Sequence, residues 1–176
     1  MKTMKSRFVT LLVTGTPGTG KSVLAKKLSL LLDYTYFDVN SYAKKTHIYS
    51  SYDRKRRTYV VDASKLAMHL IKVRQEALKT GYKGIIFDSH MSHFLPSKYA
   101  DLCLVTRCSL KALEKRLRGK GYNKAKVREN IDAEIFDTCL IEAREMGHKI
   151  VVFDTTAPKS HAVEALARKV RKLVRI

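Results

Sequence analysis

Gly15, Gly20, Lys21 and Ser22 stand at the spacing G-x-x-x-x-G-K-[ST]. Glycines at such positions let the backbone wrap a phosphate with successive N–H groups pointing inward, and a following helix N-terminus adds positive dipole. The lysine then reaches the β- and γ-phosphates, and the serine hydroxyl can ligate Mg²⁺. The spacing therefore predicts a phosphate-binding loop that takes a nucleoside triphosphate with magnesium.

A second carboxylate is needed near the metal, and proteins with this loop place it at the end of a neighbouring buried strand. The run Gly84-Ile85-Ile86-Phe87-Asp88 has that form, so Asp88 is the metal-site candidate beside Ser22. Asp38 and Asp154 also end apolar runs. Asp38 sits where a segment for a second substrate would begin, and Asp154 comes too late in the chain. His90 and His93 follow Asp88 closely enough to border the phosphates. His90, the nearer of the two, could orient water or hydrogen-bond a phosphoryl oxygen.

Phosphoryl transfer needs cations, because charge spreads over the γ-phosphate oxygens while nucleophile and leaving group are held in line. Residues 42–57 carry six basic side chains, Lys44, Lys45, Arg54, Lys55, Arg56 and Arg57, against Asp53. Residues 107–128 carry nine against Glu114 and include the glycine-flanked Lys120. The first stretch sits where an acceptor lobe would, and the second where a lid would. Arg107, at a strand end, and Lys120, at the lid tip, are the candidates for neutralising transferred charge. Lys111, Lys115 and Lys124 suit solvated helix faces.

The elements that must position these groups are legible in the hydropathy. Continuous apolar runs at 8–13, 34–39, 84–87, 102–105 and 150–153 predict strands covered on both faces, as in a parallel sheet. Between them run helical periodicities: Leu24, Leu28, Leu31; Leu66, Leu70, Val73, Ala77; and one long series, Val127, Ile131, Ile135, Cys139, Ala143, Met146. Asp62, Ser109 and Asn123 are placed as N-caps, and Gly81 and Gly147 just past helix ends. A last basic helix is expected over 162–174. The strand-helix alternation predicts an α/β, doubly wound, three-layer P-loop fold: a five-stranded parallel sheet with helices on both faces.

The chain has 176 residues, 45% of them hydrophobic, with no linker-like stretch, so one domain over 1–176 is expected. Lys and Arg number 35 against 16 Asp and Glu, a net charge of +19 that attracts polyanions such as RNA and nucleotide phosphates. Cys103, Cys108 and Cys139 lack metal-ligand spacing and read as reduced thiols of an intracellular protein. The basic start leads into an apolar run too short for a signal peptide or a membrane span, so no membrane association is expected. The guanine motif N-K-x-D is missing its aspartate at Asn123-Lys124-Ala125-Lys126, which sets a GTPase aside.

What remains is the small nucleotide-kinase type, and here the chain resembles the adenylate kinase isoenzyme 6 family, of archaeal and nuclear adenylate kinases and NTPases of small-subunit ribosome assembly. The resemblance covers residues 10–156. It rests on the loop from Thr14 to Ser22, on Asp88-Ser89-His90, on Phe94-Leu95-Pro96, on Arg116-Leu117, and on Gly121-Tyr122-Asn123 followed by Asn130-Ile131 and Glu134-Ile135-Phe136. It implies ATP at Gly18, Gly20, Lys21, Ser22 and Val23, covered by a lid cation at about 119–129. AMP would lie on a short acceptor segment at about 40–60 that contains Lys44. Lys44 and Lys120 stand where the family usually has arginine, which keeps the charge and loses the planar fork. The resemblance implies an adenylate kinase of broad specificity with ATPase activity and Mg²⁺ as cofactor. It further implies a role in small-subunit rRNA maturation and a partner, the ribosomal platform protein that is eleventh in the small-subunit series. The basic clusters suit contact with rRNA. The expected location is cytoplasmic, or nuclear in a eukaryotic source. Two rivals stand beside this reading: a small-molecule kinase on the same scaffold, and an ATP-switched assembly factor with little turnover.

Overall fold

The computed structural model describes residues 7–53 and 58–174. Five strands, β1 (Val9–Thr14), β2 (Thr35–Asp38), β5 (Gly84–Asp88), β6 (Leu102–Arg107) and β7 (Ile150–Asp154), form one sheet in the order β2-β5-β1-β6-β7, and all its pairings are parallel. β1 and β5 are buried along their whole length, as their unbroken apolar runs predict, whereas the outermost strands β2 and β7 are only partly covered.

Period-2 alternation sends the two sides of each strand into separate cores. Val9, Leu11, Val13, Ile86, Leu102 and Leu104 pack under α1 (Lys21–Leu32) and α7 (Ala162–Val174). Leu12, Ile85, Phe87, Cys103 and Val105 face α3 (Ala63–Lys79) and α6 (Thr138–Glu145), with Val39 of the short helix α2 (Val39–Lys45). Above the sheet, Leu113 and Leu117 of α4 (Leu110–Gly119) pack on Val127 of α5 (Lys124–Ile135), a third small core. The expected caps are formed. Asp62 accepts from the Ser64 and Lys65 amides, Ser109 from Ala112, and Asn123 from Lys126, each worth about 1 kcal/mol to its helix.

Two features depart from the expected pattern. The long apolar series from Val127 to Met146 is two helices, because Asp137 adopts a left-handed φ of 52° and turns the chain between α5 and α6. The acceptor region also holds an antiparallel pair, β3 (Tyr49–Asp53) with β4 (Thr58–Val61), which the hydropathy does not announce. The basic run Arg54 to Arg57 lies outside the described residues.

Candidate functional site

The phosphate loop sits at the carboxyl end of β1, between the sheet and α1. Two of its glycines are required by close approach as well as by φ. At Gly15, with φ of 136°, a Cβ would stand 2.4 Å from the Thr106 carbonyl oxygen; at Gly18, with φ of 97°, it would stand 2.9 Å from Leu113 and Leu117 of α4. Buried hydroxyls fasten the loop to its surroundings. Thr19 Oγ1 lies 2.6 Å from Thr106 Oγ1, Thr106 donates to the Thr14 carbonyl at 3.1 Å, and Thr155 donates to the Thr19 carbonyl at 2.5 Å.

Lys21 is 8% exposed, and its Nζ donates to the Thr16 carbonyl at 2.9 Å, within the loop's own backbone. Burial lowers its pKa to about 8, with Lys120 adding a smaller push in the same direction. Asp88 is also buried, and its Oδ2 accepts from the Tyr36 hydroxyl at 2.8 Å while Oδ1 has no partner among the described residues. A buried carboxylate oxygen left unpaired is costly in a folded protein, and a cation with its water shell is the group that would satisfy it. Ser22, at the start of α1, is exposed. The described residues contain no cluster of three or more His, Cys, Asp or Glu that could hold a metal. A site offering one hydroxyl and one carboxylate oxygen fits Mg²⁺, which keeps several waters and takes its other ligands from phosphates.

Two cavities meet at the loop. One, of about 400 Å³, is lined by Lys21, Ser22, Asn40, Lys44, Tyr49, His90, Lys120 and Tyr122 among others. The other, of about 360 Å³, is largely apolar and is lined by Gly20, Val23, Lys27, Arg116, Phe153 and Pro158 among others. Gly18 and Lys120 border both. His90 faces the first cavity beside Lys21, and burial and the nearby Lys21 charge lower its pKa to about 4, so it is neutral at physiological pH. The structure thus gathers Gly18, Gly20, Lys21, Ser22, Val23, Lys44, His90 and Lys120 around two spaces that share lining residues, whereas the buried Gly15 and Asp88 line neither.

Two expected site residues are engaged elsewhere. Arg107 pairs with Asp137 at 2.7 Å and lies 3.9 Å from Glu134, behind the loop at Gly15 and Thr16, so its charge is already matched and it does not border either cavity mouth. Asp38 caps α2, accepting from the Ser41 amide at 2.9 Å and the Ser41 hydroxyl at 2.8 Å, which occupies both of its oxygens. His93 is fully buried: Nδ1 lies 2.8 Å from Thr14 Oγ1 and Nε2 lies 3.0 Å from Glu142 Oε2, a structural tie. Asp154 ends the edge strand β7. It is exposed at the sheet edge and accepts from the Thr156 amide.

Arg116 was visible in the sequence only as part of a motif. Its guanidinium is pinned by Thr155, through the hydroxyl at 3.1 Å and the carbonyl at 2.6 Å, and it shares the apolar cavity with Pro158. A planar cation and a proline ring bordering an apolar space of this size suit a flat nucleobase. The three cysteines are free: Cys103 and Cys108 are buried, and burial pushes the Cys103 thiol up to about 12 and Cys139 to about 11.

Comparison with known proteins agrees with this geometry. A family described as AAA domain matches residues 11–137. The adenylate kinase isoenzyme 6 homolog of Caenorhabditis elegans is 30% identical over 163 residues, covering 93% of this chain and 87% of that protein. The chain belongs to the adenylate kinase isoenzyme 6 family. A second member, the adenylate kinase isoenzyme 6 homolog FAP7 of Saccharomyces cerevisiae, is 32% identical over 165 residues, covering 93% of this chain and 79% of its own. Solved structures share the fold: a sugar kinase from Janibacter superposes with a TM-score of 0.62 at 14% identity, covering 97% of this chain and 96% of that one. Deoxyadenosine kinase from M. mycoides gives 0.56 at 16%, covering 93% and 100%. As a member of the adenylate kinase isoenzyme 6 family, the chain is a P-loop phosphotransferase. Among its described residues, no helix is long and apolar enough to cross a membrane.

Proposed function

We propose that the protein transfers the γ-phosphoryl group of ATP to AMP, yielding two ADP, and more slowly to water. The observation that carries this reading is the pair of cavities that share Gly18 and Lys120 as lining, one largely apolar, the other polar and cationic. ATP would place its base between Arg116 and Pro158 and its phosphates along the loop, and AMP would enter past Lys44 and Asn40. One AMP phosphate oxygen forms the new bond to Pγ as the bond from Pγ to the β-phosphate oxygen breaks.

In this reading Lys21 leaves the Thr16 carbonyl for the β- and γ-phosphates, and Lys120 offsets charge from the α4–α5 tip. His90, held neutral, hydrogen-bonds a phosphoryl oxygen or positions water. Ser22 and Asp88 hold Mg²⁺, which when bound neutralises the phosphate oxygens. The lysines at Lys44 and Lys120 provide point charges without a bidentate fork, which favours an enzyme whose hydrolysis of ATP stands nearer its kinase rate. We further infer broad acceptor specificity and a role in small-subunit rRNA maturation beside the eleventh platform protein. The net charge of +19, suited to an RNA-rich setting, and the family resemblance support this.

The test is ADP formation from ATP across nucleoside monophosphates and small alcohols, with and without the ribosomal partner. AMP should stimulate ADP formation at least about tenfold over hydrolysis, an activation-energy difference of about 1.4 kcal/mol. Absence of any stimulation by AMP would overturn the kinase reading and leave the ATP-switched assembly factor.

The lowered pKa of Lys21 adds a second expectation. Phosphates favour the ammonium form, so above pH 8 the free protein must take up a proton on binding ATP. ATP affinity should weaken by up to about tenfold per pH unit above pH 8, until the pKa of the bound state is reached. Calorimetry at pH 9 in buffers of different ionisation enthalpy should show uptake approaching one proton. Equal heats in all buffers would separate Lys21 from the phosphates.

A further inference from the structure

We propose that Tyr36 is a positioning residue of the metal site, its hydroxyl holding one oxygen of Asp88 so that the other is left for the cation. The inference rests on the reading that Ser22 and Asp88 hold Mg²⁺.

β2 and β5 pair in parallel, with Tyr36 opposite Ile86 and Asp38 opposite Asp88. Tyr36, Ile86 and Asp88 therefore share one face of the sheet, the face covered by α1, and Tyr36 is the diagonal neighbour of Asp88. A phenol is long enough to span that diagonal. The tyrosine hydroxyl donates to Asp88 Oδ2 at 2.8 Å, and among the described residues it is the one hydrogen bond to that carboxylate; buried Oδ1 has none. A free carboxylate can rotate and offer either oxygen. Among the described residues one oxygen is spoken for and the other is not, so the group is oriented before any ion arrives.

The same phenol is tied to the rest of the site. Lys26, one turn along α1 from Ser22, places its ammonium 5.4 Å from the centre of the Tyr36 ring, where a cation draws electron density and makes the hydroxyl a better donor. Tyr36 thus holds Asp88 while lining neither of the two cavities itself. It acts through Asp88, which is what distinguishes a positioning residue from a ligand.

The experiment measures metal affinity rather than turnover. Mn²⁺ is titrated into protein saturated with a non-hydrolysable ATP analogue, and free Mn²⁺ is read by electron paramagnetic resonance. The wild type, Tyr36→Phe, Asp88→Asn and the double variant are compared, with melting temperature and metal-free analogue affinity measured on each. Tyr36→Phe keeps the ring and removes only the hydroxyl. It should weaken Mn²⁺ binding by about tenfold to a hundredfold, the usual cost of losing an outer-shell partner, with metal-free analogue affinity unchanged. In the Asp88→Asn background the same change should have no further effect on Mn²⁺. If Asp88→Asn lowers Mn²⁺ affinity and Tyr36→Phe does not, the Tyr36 inference fails and the metal assignment stands. If Asp88→Asn leaves Mn²⁺ affinity unchanged, the metal assignment fails and takes Tyr36 with it. An equal loss from Tyr36→Phe in both backgrounds, or a loss of analogue and metal binding together, shows a merely structural tyrosine and overturns the proposal.

Discussion

Replacing Lys21 with methionine should lower ATP turnover by at least about a thousandfold while leaving the protein as stable as before or more so. Removing one preorganised donor to developing charge costs a factor of about 10² to 10³ in other enzymes, and a buried ammonium beside the phosphates sits at the upper end of that range. The stability half follows from the sign of the lysine shift. In the unfolded chain Lys21 titrates at 10.5 and in the folded protein at about 8, so the native state binds its proton less tightly. The resulting penalty is fully present below pH 8 and fades between pH 8 and 10.5, amounting to about 3 kcal/mol at pH 7. Methionine has a similar length and no charge to desolvate. Turnover measured beside a denaturant melt checks both halves. A variant that loses activity and stability together would show that Lys21 works as a prop for the loop through the Thr16 carbonyl, and a variant that keeps turnover would remove it from the chemistry.

The second large effect is a loss of stability in acid that traces to His93. This imidazole is fully buried between Thr14 and Glu142, and burial, aided by the neighbouring His148, lowers its pKa from 6.5 to about 4. Between those values the unfolded chain binds the proton and the native state does not. Stability is therefore complete above pH 6.5 and is lost as pH falls toward 4, by about 3 kcal/mol from this one side chain. His90 and His148, also lowered by burial, add in the same direction. The net charge of +19 adds its own repulsion as carboxylates protonate, so the comparison must be with His93→Asn, which keeps a polar atom toward Thr14 and cannot titrate. The variant should start less stable at pH 7 and lose less between pH 6.5 and 4.5. Parallel curves for the two proteins would assign the acid loss to charge repulsion instead.

The phosphate loop, the five strands and their helices were legible because each depends on local signals: a fixed spacing, continuous apolar runs, and caps such as Asp62 and Asn123. The structure departs from those readings mostly, though not always, where a distant partner decides the outcome. Arg107 looked like a free cation at a strand end, but Glu134 and Asp137, from α5 and the turn after it, neutralise it. Asp38 looked like the edge of a substrate site, and the serine three residues on made it a helix cap, a signal that was present in the sequence and is read as D-x-x-S. The break at Asp137 was hidden because the apolar spacing of three and four continues across it. Tyr36 lies in an apolar run where an aromatic reads as core. Only the pairing of β2 with β5, which strand order alone determines, brings its hydroxyl to Asp88. Arg116 likewise becomes visible as a base-flanking group only once β7 and its following loop are seen to pass beside α4.

The buried threonines bear on the thermodynamics of ligand capture. Thr19, Thr106 and Thr155 clamp the loop to β6 and to the chain after β7, so the backbone amides that receive phosphate are ordered during folding. Nucleotide binding then has little loop entropy left to overcome, and its heat-capacity change reflects the base entering the cavity beside Arg116 rather than a segment folding around the phosphates. The backbone of the loop is in that sense a rigid mould on the donor side, within which only side chains such as Lys21 need to move.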